Sequence, residues 1–317
     1  MKRGLVLGAL VIAGALSAVL AASGREQAGT PQPSASALQV DKLTDNLYVV
    51  RGGGGNTAVF VTANGVLLVD TKLPGWGKPL LEKIKELTDK PVTTIVNTHT
   101  HFDHVSGNVD FPPTVEIVAH ENTARLMRDM RPPTGVPTAP RTMFEESKGV
   151  GLPKRTYKDT LTLGSGNDRV ELHYFGAAHT SGDTFVVFPS ARAMHAGDVF
   201  PNKGIPIVDG NNGGSGLEYA NTLARAAALP DVDVVITGHN ATTLTMDDLK
   251  MYIDFNRGFV ETVRAAKKAG KTLDEVASTW RVPARFLDAG YSQPAGDTGQ
   301  SPSRVRMNAE LIWNELK

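Results

Sequence analysis

The sequence contains no cysteine, and this absence restricts what any functional site can contain. Without thiols the chain forms no disulfide, and no metal can be held by thiolate sulfur. A metal bound by this protein must therefore rely on histidine, aspartate or glutamate side chains. These harder ligands favour zinc, manganese or iron over copper(I).

The sequence also lacks an excess of charge of either sign. Lysine plus arginine and aspartate plus glutamate both number 33, so the formal net charge is zero. Proteins that bind nucleic acids or anionic membranes usually show a basic excess or a basic patch. We therefore expect no nucleic-acid partner.

Long hydrophobic runs are absent except near the N-terminus. There a basic pair precedes an apolar run from Leu5 to Ala22, and small residues follow it. This pattern predicts a secretory signal peptide over residues 1–22, with an uncleaved membrane anchor as the alternative. Residues 23–37 are small and polar and predict a flexible linker, which leaves 38–317 as a single domain. We expect a periplasmic or secreted protein without membrane contact once the signal is cleaved.

The first part of this domain shows short strand patterns. Runs rich in β-branched residues occupy 47–52, 57–62 and 66–71, and an Asn-Gly pair at 64–65 predicts a hairpin between the last two. The glycines at 52–55 predict either a flap over a site or a simple turn. They do not form a phosphate-binding loop, because no Lys-Ser/Thr ending follows and the loop leads into a strand.

Strand and helix patterns alternate along the rest of the chain. Two of the helices carry threonine N-caps of the capping-box type. The predicted elements are helix 80–90, strands 93–98 and 114–120, helix 121–130, strands 159–164, 169–176, 185–189 and 191–198, helix 217–229, strand 232–239, helices after Thr245 and Thr272, and a last helix over 303–317. Because the two halves are alike in element order, we expect two packed sheets with helices on the outer faces.

Residues 97–108 read NTHTHFDHVSGN and place three of the eight histidines within six positions. Residues two apart at the end of a strand point the same way, so His99 and His101 can converge on one ion. Asp103 and His104 lie in the turn beyond and must point elsewhere, which favours two neighbouring metals over one. The alternative is an exposed polar loop.

Three later residues stand in similar settings. His179, Asp198 and His239 each follow a predicted strand and are flanked by glycine or other small residues, which let the backbone approach closely. In α/β folds, residues from the ends of different strands converge to form sites. Taken singly each of the three could be structural, but together after the first motif they are candidate ligands.

With these motifs in this order, the chain resembles the metallo-β-lactamase-fold hydrolase superfamily over about residues 40–245. The resemblance implies an α/β fold of the four-layer αββα sandwich type. It implies that His99, His101 and His179 bind a first metal, that Asp103, His104 and His239 bind a second, that Asp198 bridges both, and that Asp70 in VLLVDT orients the ligand loop.

The resemblance implies a hydrolase that holds two Zn²⁺ ions, with Mn²⁺ or Fe as alternatives. A metal-bound hydroxide would attack the carbonyl of a small-molecule substrate of the β-lactam, lactone or ester type. Asp103 would serve as the catalytic residue that orients this nucleophile and transfers a proton. The alternatives are a thioester hydrolase of the glyoxalase II type and an iron-dependent, sulfur dioxygenase-like enzyme on the same ligands.

The sequence leaves the substrate open. Asp198 occupies a position where some β-lactamases of this superfamily have cysteine, and Val199-Phe200-Pro201 follows it where lactonase relatives often supply a tyrosine. Basic residues near the C-terminus do not match the glutathione-binding pattern of glyoxalase II relatives; they are Arg257, Arg264, Lys267 and Lys268.

The remaining features are interpreted as structural or as parts of the pocket. His120, His173 and His195 are expected to be structural, and His120 is placed to cap the helix that follows it. The Pro-, Gly- and Thr-rich segment 131–153, with Met130, Met143 and Phe144, predicts either a wall of the pocket or a long surface loop.

Overall fold

Two β-sheets face each other in the computed structural model of this protein, and helices cover the outer face of each sheet. The structure describes residues 33–136, 143–296 and 302–316. Pro33–Lys317 forms one compact unit. The predicted αββα sandwich is confirmed.

Within the described residues the first sheet has seven strands, in the order of the chain. They are β1 (Gln39–Lys42), β2 (Leu47–Arg51), β3 (Thr57–Val61), β4 (Val66–Val69), β5 (Val92–Asn97), β6 (Glu116–His120) and β7 (Arg155–Tyr157). The first four strands pair antiparallel, and β4 to β7 pair parallel. Because β4 and β5 are parallel, their carboxyl ends lie at the same edge of the sheet.

The second sheet has six strands within the described residues, and its order runs from β13 to β8. They are β8 (Thr160–Leu163), β9 (Val170–His173), β10 (Phe185–Phe188), β11 (Ala193–His195), β12 (Val234–Ile236) and β13 (Leu244–Thr245). Only β11 and β12 pair parallel in this sheet, so the residues that follow these two strands emerge side by side.

The helices lie between and after the strands. They are α1 (Gly77–Lys85), α2 (Phe102–Val105), α3 (Glu121–Asp129), α4 (Met143–Glu146), α5 (Gly216–Ala227), α6 (Met246–Lys268), α7 (Leu273–Thr279), α8 (Ala284–Asp288) and α9 (Arg304–Glu315). Both predicted capping boxes are present. Thr245 accepts from the Asp248 N–H and Thr272 from the Glu275 N–H, and each acidic side chain bonds back to the cap.

The central strands β3, β4 and β10 are apolar on both sides because both sides are buried. In β3, Ala58 and Phe60 point between the sheets while Val59 packs with α1 on the outer face. In β10, Phe188 points inward and meets Phe60 with ring centroids 5.1 Å apart. This aromatic contact joins the two sheets at the centre of the molecule.

The outer layers are formed by apolar helix faces. Leu80 and Ile84 of α1 cover the first sheet. Buried residues of α5, α6 and α9 cover the second sheet, among them Leu223, Phe255 and Ile312. The predicted last helix is present as α9. It buries Val305, Asn308, Ala309 and Ile312, while Leu311 and Trp313 are partly buried.

Some elements were not predicted, and some predictions cannot be compared with the structure. Strand β7 and helix α8 are too short to give a periodic pattern. The predicted signal segment 1–22 lies outside the described residues. Residues 33–37, the end of the predicted linker, include a turn of 3-10 helix at Ala35–Ala37. Within the described ranges, none of the helices has both the length and the apolar character needed to cross a bilayer.

Candidate metal centre and active site

Asp70 organises the turn that carries the histidine cluster. It follows β4 with a left-handed φ of 65°, and its N–H donates to the Val96 carbonyl of the neighbouring strand (2.9 Å). The Asp70 carboxylate accepts from the Thr98 N–H (2.8 Å) and the Thr98 hydroxyl (2.7 Å). Its Oδ2 also lies 2.7 Å from Nδ1 of His104. A carboxylate only accepts here, so His104 carries hydrogen on Nδ1 and turns its Nε2 towards the site.

His101 and His179 are held in a similar way from outside the site. The Nε2–H of His101 donates to Asp209 Oδ2 (2.7 Å), and the Nδ1–H of His179 donates to the Ile207 carbonyl (2.7 Å). Each ring thus turns its other nitrogen inward. These two nitrogens, Nδ1 of His101 and Nε2 of His179, lie 3.0 Å apart. Two lone pairs facing each other at this distance are favourable only with a cation or a proton between them.

The structure brings all seven candidate ligands into two adjoining groups of donor atoms. In each group the donors lie within 4.8 Å of one another. The first group is His99, His101, His179 and Asp198, and the second is Asp103, His104 and His239. Asp198 also reaches the second group, because its Oδ1 lies 3.3 Å from His104 Nε2 and its Oδ2 lies 3.2 Å from His239 Nε2. The metal-binding role of each residue stays a prediction that this geometry supports.

Two buried atoms show that the groups fit metal ions. Nε2 of His99 is buried and has no hydrogen-bond partner among the described residues, and the buried Oδ1 of Asp198 has His104 Nε2 as its neighbour at 3.3 Å. An unpaired buried nitrogen or carboxylate oxygen is costly, so such atoms are rare unless an ion or water satisfies them. The donors are all imidazole or carboxylate, a set that suits Zn²⁺, Mn²⁺ and Fe.

Burial and the neighbouring charges set the protonation of the histidines. Burial, reinforced by nearby histidines, holds the pKa of His99 well below its ordinary value, and burial lowers the pKa of His179 to about 4. Both rings are therefore neutral at neutral pH, as metal ligation requires. The Asp198 carboxylate instead raises the pKa of His239 to about 9. His239 must lose that proton when it binds a metal.

Glycines allow the backbone to approach these ligands closely. A Cβ on Gly238 would lie 1.8 Å from Asp198 Oδ1, and a Cβ on Gly55 would lie 2.2 Å from the His104 ring. The Gly55 N–H also donates to the Asp103 carbonyl (3.0 Å). Of the two interpretations of the 52–55 loop, the structure favours a turn packed against the cluster, with Gly54 at the cavity.

A cavity of about 530 Å³ opens onto the two groups. Its size is in the range that accommodates a small organic ligand. Besides ligand residues it is lined mainly by apolar side chains: Leu73, Phe102, Pro133, Val136, Pro201 and Ile207. The segment after α3 therefore does line the pocket, through Pro133 and Val136. Met130 and Phe144 do not line it, because both are buried in a cluster with Val105 and Met127.

Sequence reasoning missed Asp209, which is fully buried in the loop before α5. Its Oδ2 holds His101, while its Oδ1 accepts from the Thr134 N–H and hydroxyl, both at 2.9 Å. Asp209 thus ties a metal ligand to the segment that carries Pro133 and Val136. Only the glycines and asparagines after it distinguish this position in the sequence, and they indicate a turn.

Lys72 was also missed, because a charged side chain is expected at the surface. It is completely buried, and its ammonium donates to the Val50 and Gly55 carbonyls, both at 2.6 Å. Burial lowers the pKa of Lys72 to about 7. Its two hydrogen bonds link the end of strand β2 to the glycine loop at 52–55.

The three other histidines lie outside the donor groups, and their structural role stays a prediction. His120 accepts from the Asn122 N–H at the start of α3 and also contacts the Lys158 carbonyl. His195 contacts the Asn56 carbonyl and accepts from the Gly197 N–H. His173 lies beside Glu171 near the surface.

Comparison with known proteins places this site in a family. The sequence profile of the metallo-beta-lactamase superfamily matches residues 50–239. The "2,4-dinitroanisole O-demethylase subunit alpha" of Nocardioides sp. (strain JS1661) is 28% identical over 51% of this chain, and the match spans only 46% of that relative. The "Metallo-beta-lactamase type 2" of Elizabethkingia meningoseptica is 26% identical over 64% of this chain and 79% of its own. The "Hydroxyacylglutathione hydrolase" of Crocosphaera subtropica (strain ATCC 51142 / BH68) is 24% identical over 80% of this chain and 92% of its own.

Solved structures share the fold. A metallo-beta-lactamase from Pontibacter korlensis superposes with a TM-score of 0.56 at 20% identity, over 69% of this chain and 99% of that chain. The sec-alkylsulfatase Pisa1 from Pseudomonas sp. superposes with a TM-score of 0.63 at 15% identity, over 88% of this chain and 50% of that chain. The profile match covers more than half of the sequence and includes all seven candidate ligands. The chain therefore belongs to the metallo-beta-lactamase superfamily.

Proposed function

We propose that this protein is a dinuclear zinc hydrolase that cleaves a carbonyl substrate of the β-lactam, lactone or ester type. The observation that supports this most is the pair of donor groups that share Asp198 at the base of a single cavity. A site that binds one structural metal would be closed by its ligands, whereas this one opens onto space for a substrate.

Two divalent ions, when bound, supply an activated water and polarise the substrate carbonyl. The chain supplies the proton acceptor. Against the effect of burial, His104 and His239 lower the pKa of Asp103 to about 2, so its carboxylate is ionised at neutral pH. Its side chain is 21% exposed at the cavity, and its Oδ2 lies 3.2 Å from His239 Nε2. Asp103 Oδ2 is thus placed to orient the attacking water and to carry its proton towards the leaving group.

The walls of the cavity select the rest of the substrate. Apolar side chains such as Phe102, Val136 and Ile207 bind an apolar body by excluding water from it. Water exclusion also strengthens the interaction between the charged residues at the base and the reacting group. These features favour a substrate whose carbonyl is attached to a hydrophobic framework.

A thioester hydrolase of the glyoxalase II type is the main alternative, and it has a relative in the hydroxyacylglutathione hydrolase. The candidate glutathione-binding cations are engaged elsewhere. Arg257 lies 4.0 Å from Asp254, and Arg264 pairs with Glu261. Lys267 donates to carbonyls at the C-terminal end of α9. None of these three residues lines the cavity, so they give no support to a glutathione site.

Metal analysis combined with a substrate panel tests the proposed function. We expect two zinc ions per chain and hydrolysis of at least one chromogenic lactam, lactone or ester. The panel should include a glutathione thioester and an activated aryl methyl ether, the latter because one relative is named as an O-demethylase. Iron with an optical spectrum and oxygen consumption would instead support the dioxygenase-like alternative. A fully metallated protein that is inert towards the whole panel would refute the proposal.

Substitution of ligands makes this test specific. His101→Ala and Asp198→Ala should retain folded circular dichroism spectra but lose metal and at least about 1,000-fold in kcat/KM. His173→Ala is the matched control, because His173 lies outside both donor groups. If all three variants lose activity equally while retaining metal, the assignment of the site is wrong.

We also propose that the protein is exported, on the basis of the basic and apolar pattern of residues 1–22. Mass spectrometry of the protein from the periplasmic or culture fraction should show a chain that begins near residue 23. A full-length chain recovered only from the cytoplasm would contradict export, and one recovered only from membranes would support the anchor.

A further inference from the structure

Arg304 is a cation at the cavity that has no partner among the described residues. It is the first residue of α9, its side chain is exposed, and it lines the cavity that opens onto the metal centre. Among the residues that the structure describes as lining this cavity, no other is a lysine or arginine. No hydrogen bond or ion pair engages its guanidinium within the described part of the chain. The other arginine of this turn, Arg306, pairs with Asp274.

The helix holds Arg304 in a defined position relative to the metal centre. Asn308 lies four residues further along and therefore on the same face of α9. Its side chain donates to the Pro206 carbonyl (2.9 Å) and accepts from the Val208 N–H (3.2 Å). The residue between these two, Ile207, lines the cavity and accepts the hydrogen bond that orients His179. The C-terminal helix is thus anchored to the same segment that positions a candidate ligand.

We propose that Arg304 is a specificity-determining residue that binds a carboxylate group of the substrate. This inference rests on the proposed hydrolase function, because it concerns the substrate of the same site. A guanidinium presents two parallel N–H groups that match the two oxygens of a carboxylate, and an arginine without a protein partner keeps this capacity. The apolar walls bind the framework between the carboxylate and the reacting carbonyl. The substrate class is therefore a carbonyl compound with an apolar body and a carboxylate at its far end.

Arg304 lies outside the part of the chain that the superfamily profile matches, which ends at residue 239. Recognition of the substrate's anionic end would thus come from the C-terminal helices, whereas the chemistry comes from the two sheets. This division allows specificity to change without any change in the metal ligands.

A matched pair of esters tests the proposal. The 4-nitrophenyl monoester of suberic acid carries a terminal carboxylate, and 4-nitrophenyl octanoate is its neutral counterpart of equal acyl length. We expect wild-type protein to favour the suberate monoester in kcat/KM. Arg304→Gln should lower kcat/KM for that ester about 10- to 100-fold, mainly through a higher KM, and should leave the octanoate within about twofold. Arg304→Lys should recover part of the loss, because the charge remains but the paired N–H geometry does not.

Arg257→Gln is the matched control, since Arg257 is an exposed arginine on α6 that does not line this cavity. It should leave both esters unchanged. Added salt should reduce the preference of wild-type protein for the suberate monoester and should have little effect on Arg304→Gln.

The outcomes separate this inference from the proposed function. If both esters are hydrolysed and Arg304→Gln lowers kcat/KM equally for both, or for neither, the proposed role of Arg304 is wrong. The hydrolase function would still stand. If neither ester is hydrolysed, binding of suberate to the metal-loaded protein, measured by calorimetry, tests the carboxylate site directly. Binding that is weakened in Arg304→Gln but not in Arg257→Gln would support the carboxylate site without the proposed reaction. Binding that is absent, or equal in all three proteins, would refute it.

Discussion

Neighbouring groups outside the two donor groups restrict the positions of the candidate ligands. Asp198 leaves no room for a side chain at Gly238, and His104 leaves none at Gly55. His104 is also fixed by Asp70, and His101 by Asp209. These two histidines are thus held by carboxylates outside the donor groups, which fix the tautomer and the orientation of each ring.

Gly238→Ala tests this constraint at its narrowest point. The new methyl group would overlap Asp198 Oδ1, so the carboxylate must turn away from the site. We expect metal content to fall below two ions per chain and kcat/KM to drop at least about 100-fold. Gly258→Ala is the matched control, because a Cβ at that position would meet nothing within 4 Å and α6 should gain about 0.5–1 kcal/mol. Full metal content in Gly238→Ala would show that Asp198 does not need its observed orientation.

The buried Lys72 gives a second prediction at this scale. Its pKa is about 7 in the folded chain and 10.5 ordinarily, so between these values the unfolded chain binds a proton that the folded chain does not. The free energy of unfolding should therefore increase as the pH rises from about 7 to about 10.5. In Lys72→Met this contribution should be absent. Urea unfolding of the metal-free proteins across this pH range measures the difference, with the exposed Lys250→Met as control. A pH profile that is unchanged in Lys72→Met would contradict the assignment.

Individual elements also connect the two sheets at the site. The residue before β3, Asn56, donates its N–H to the Gly238 carbonyl (2.7 Å) and its side-chain amide to the Thr237 and Asn240 carbonyls (2.9 and 3.0 Å). Arg51 at the end of β2 donates to the same Asn240 carbonyl (2.7 Å). The first sheet thus holds the loop of the second sheet that carries His239.

Asn56→Ala should loosen that loop without touching a ligand. It removes the amide donor from the Thr237 carbonyl and leaves the Asn240 carbonyl with Arg51 alone, which should cost about 1–3 kcal/mol in the free energy of unfolding. We expect weaker binding of one of two ions, measured by titration with a chromophoric chelator, and a corresponding fall in kcat at limiting zinc. Asn221→Ala, at an exposed position of α5, should stay within about 0.5 kcal/mol of wild type. Equal affinity for both ions in Asn56→Ala would show that the loop holds its shape alone.

Features that depend on local sequence could be predicted, whereas features that depend on contacts between distant segments could not. Most of the strands, both capping boxes and the cluster at 97–108 could be predicted because their signals lie within a few residues. His179, Asp198 and His239 needed the order of motifs as well as their local context. Asp209, Lys72 and Asn56 could not be predicted, because each acts through a contact with a distant segment and no local pattern marks it.

At the scale of the whole molecule, the site lies where the edges of the two sheets meet. The turn after β5 supplies four candidate ligands, and the second sheet supplies three, after β9, β11 and β12. Bound ions would therefore join the two sheets. An ion that binds the folded chain and not the unfolded one stabilises the fold by mass action.

Removal of metal should accordingly lower the stability of the entire domain. At a free zinc concentration about 100 times the Kd, the folded state gains about 2.7 kcal/mol for each site, and a chelator removes this gain. We expect the thermal midpoint to fall on treatment with chelator and to return on addition of zinc, as measured by calorimetry. Asp198→Ala should respond far less to either treatment. A wild-type midpoint that is insensitive to chelator and zinc would contradict a cross-linking role.

The distribution of ligands from position 99 to position 239 also has a consequence for biogenesis. A growing chain cannot complete the first donor group until residue 198 has been made, nor the second until residue 239 has been made and the two sheets have docked. We therefore expect metal to bind late, after the two sheets have folded. Imidazole and carboxylate donors accept several divalent ions. We therefore expect the bound metal to depend on which ions are available in the compartment where the protein folds.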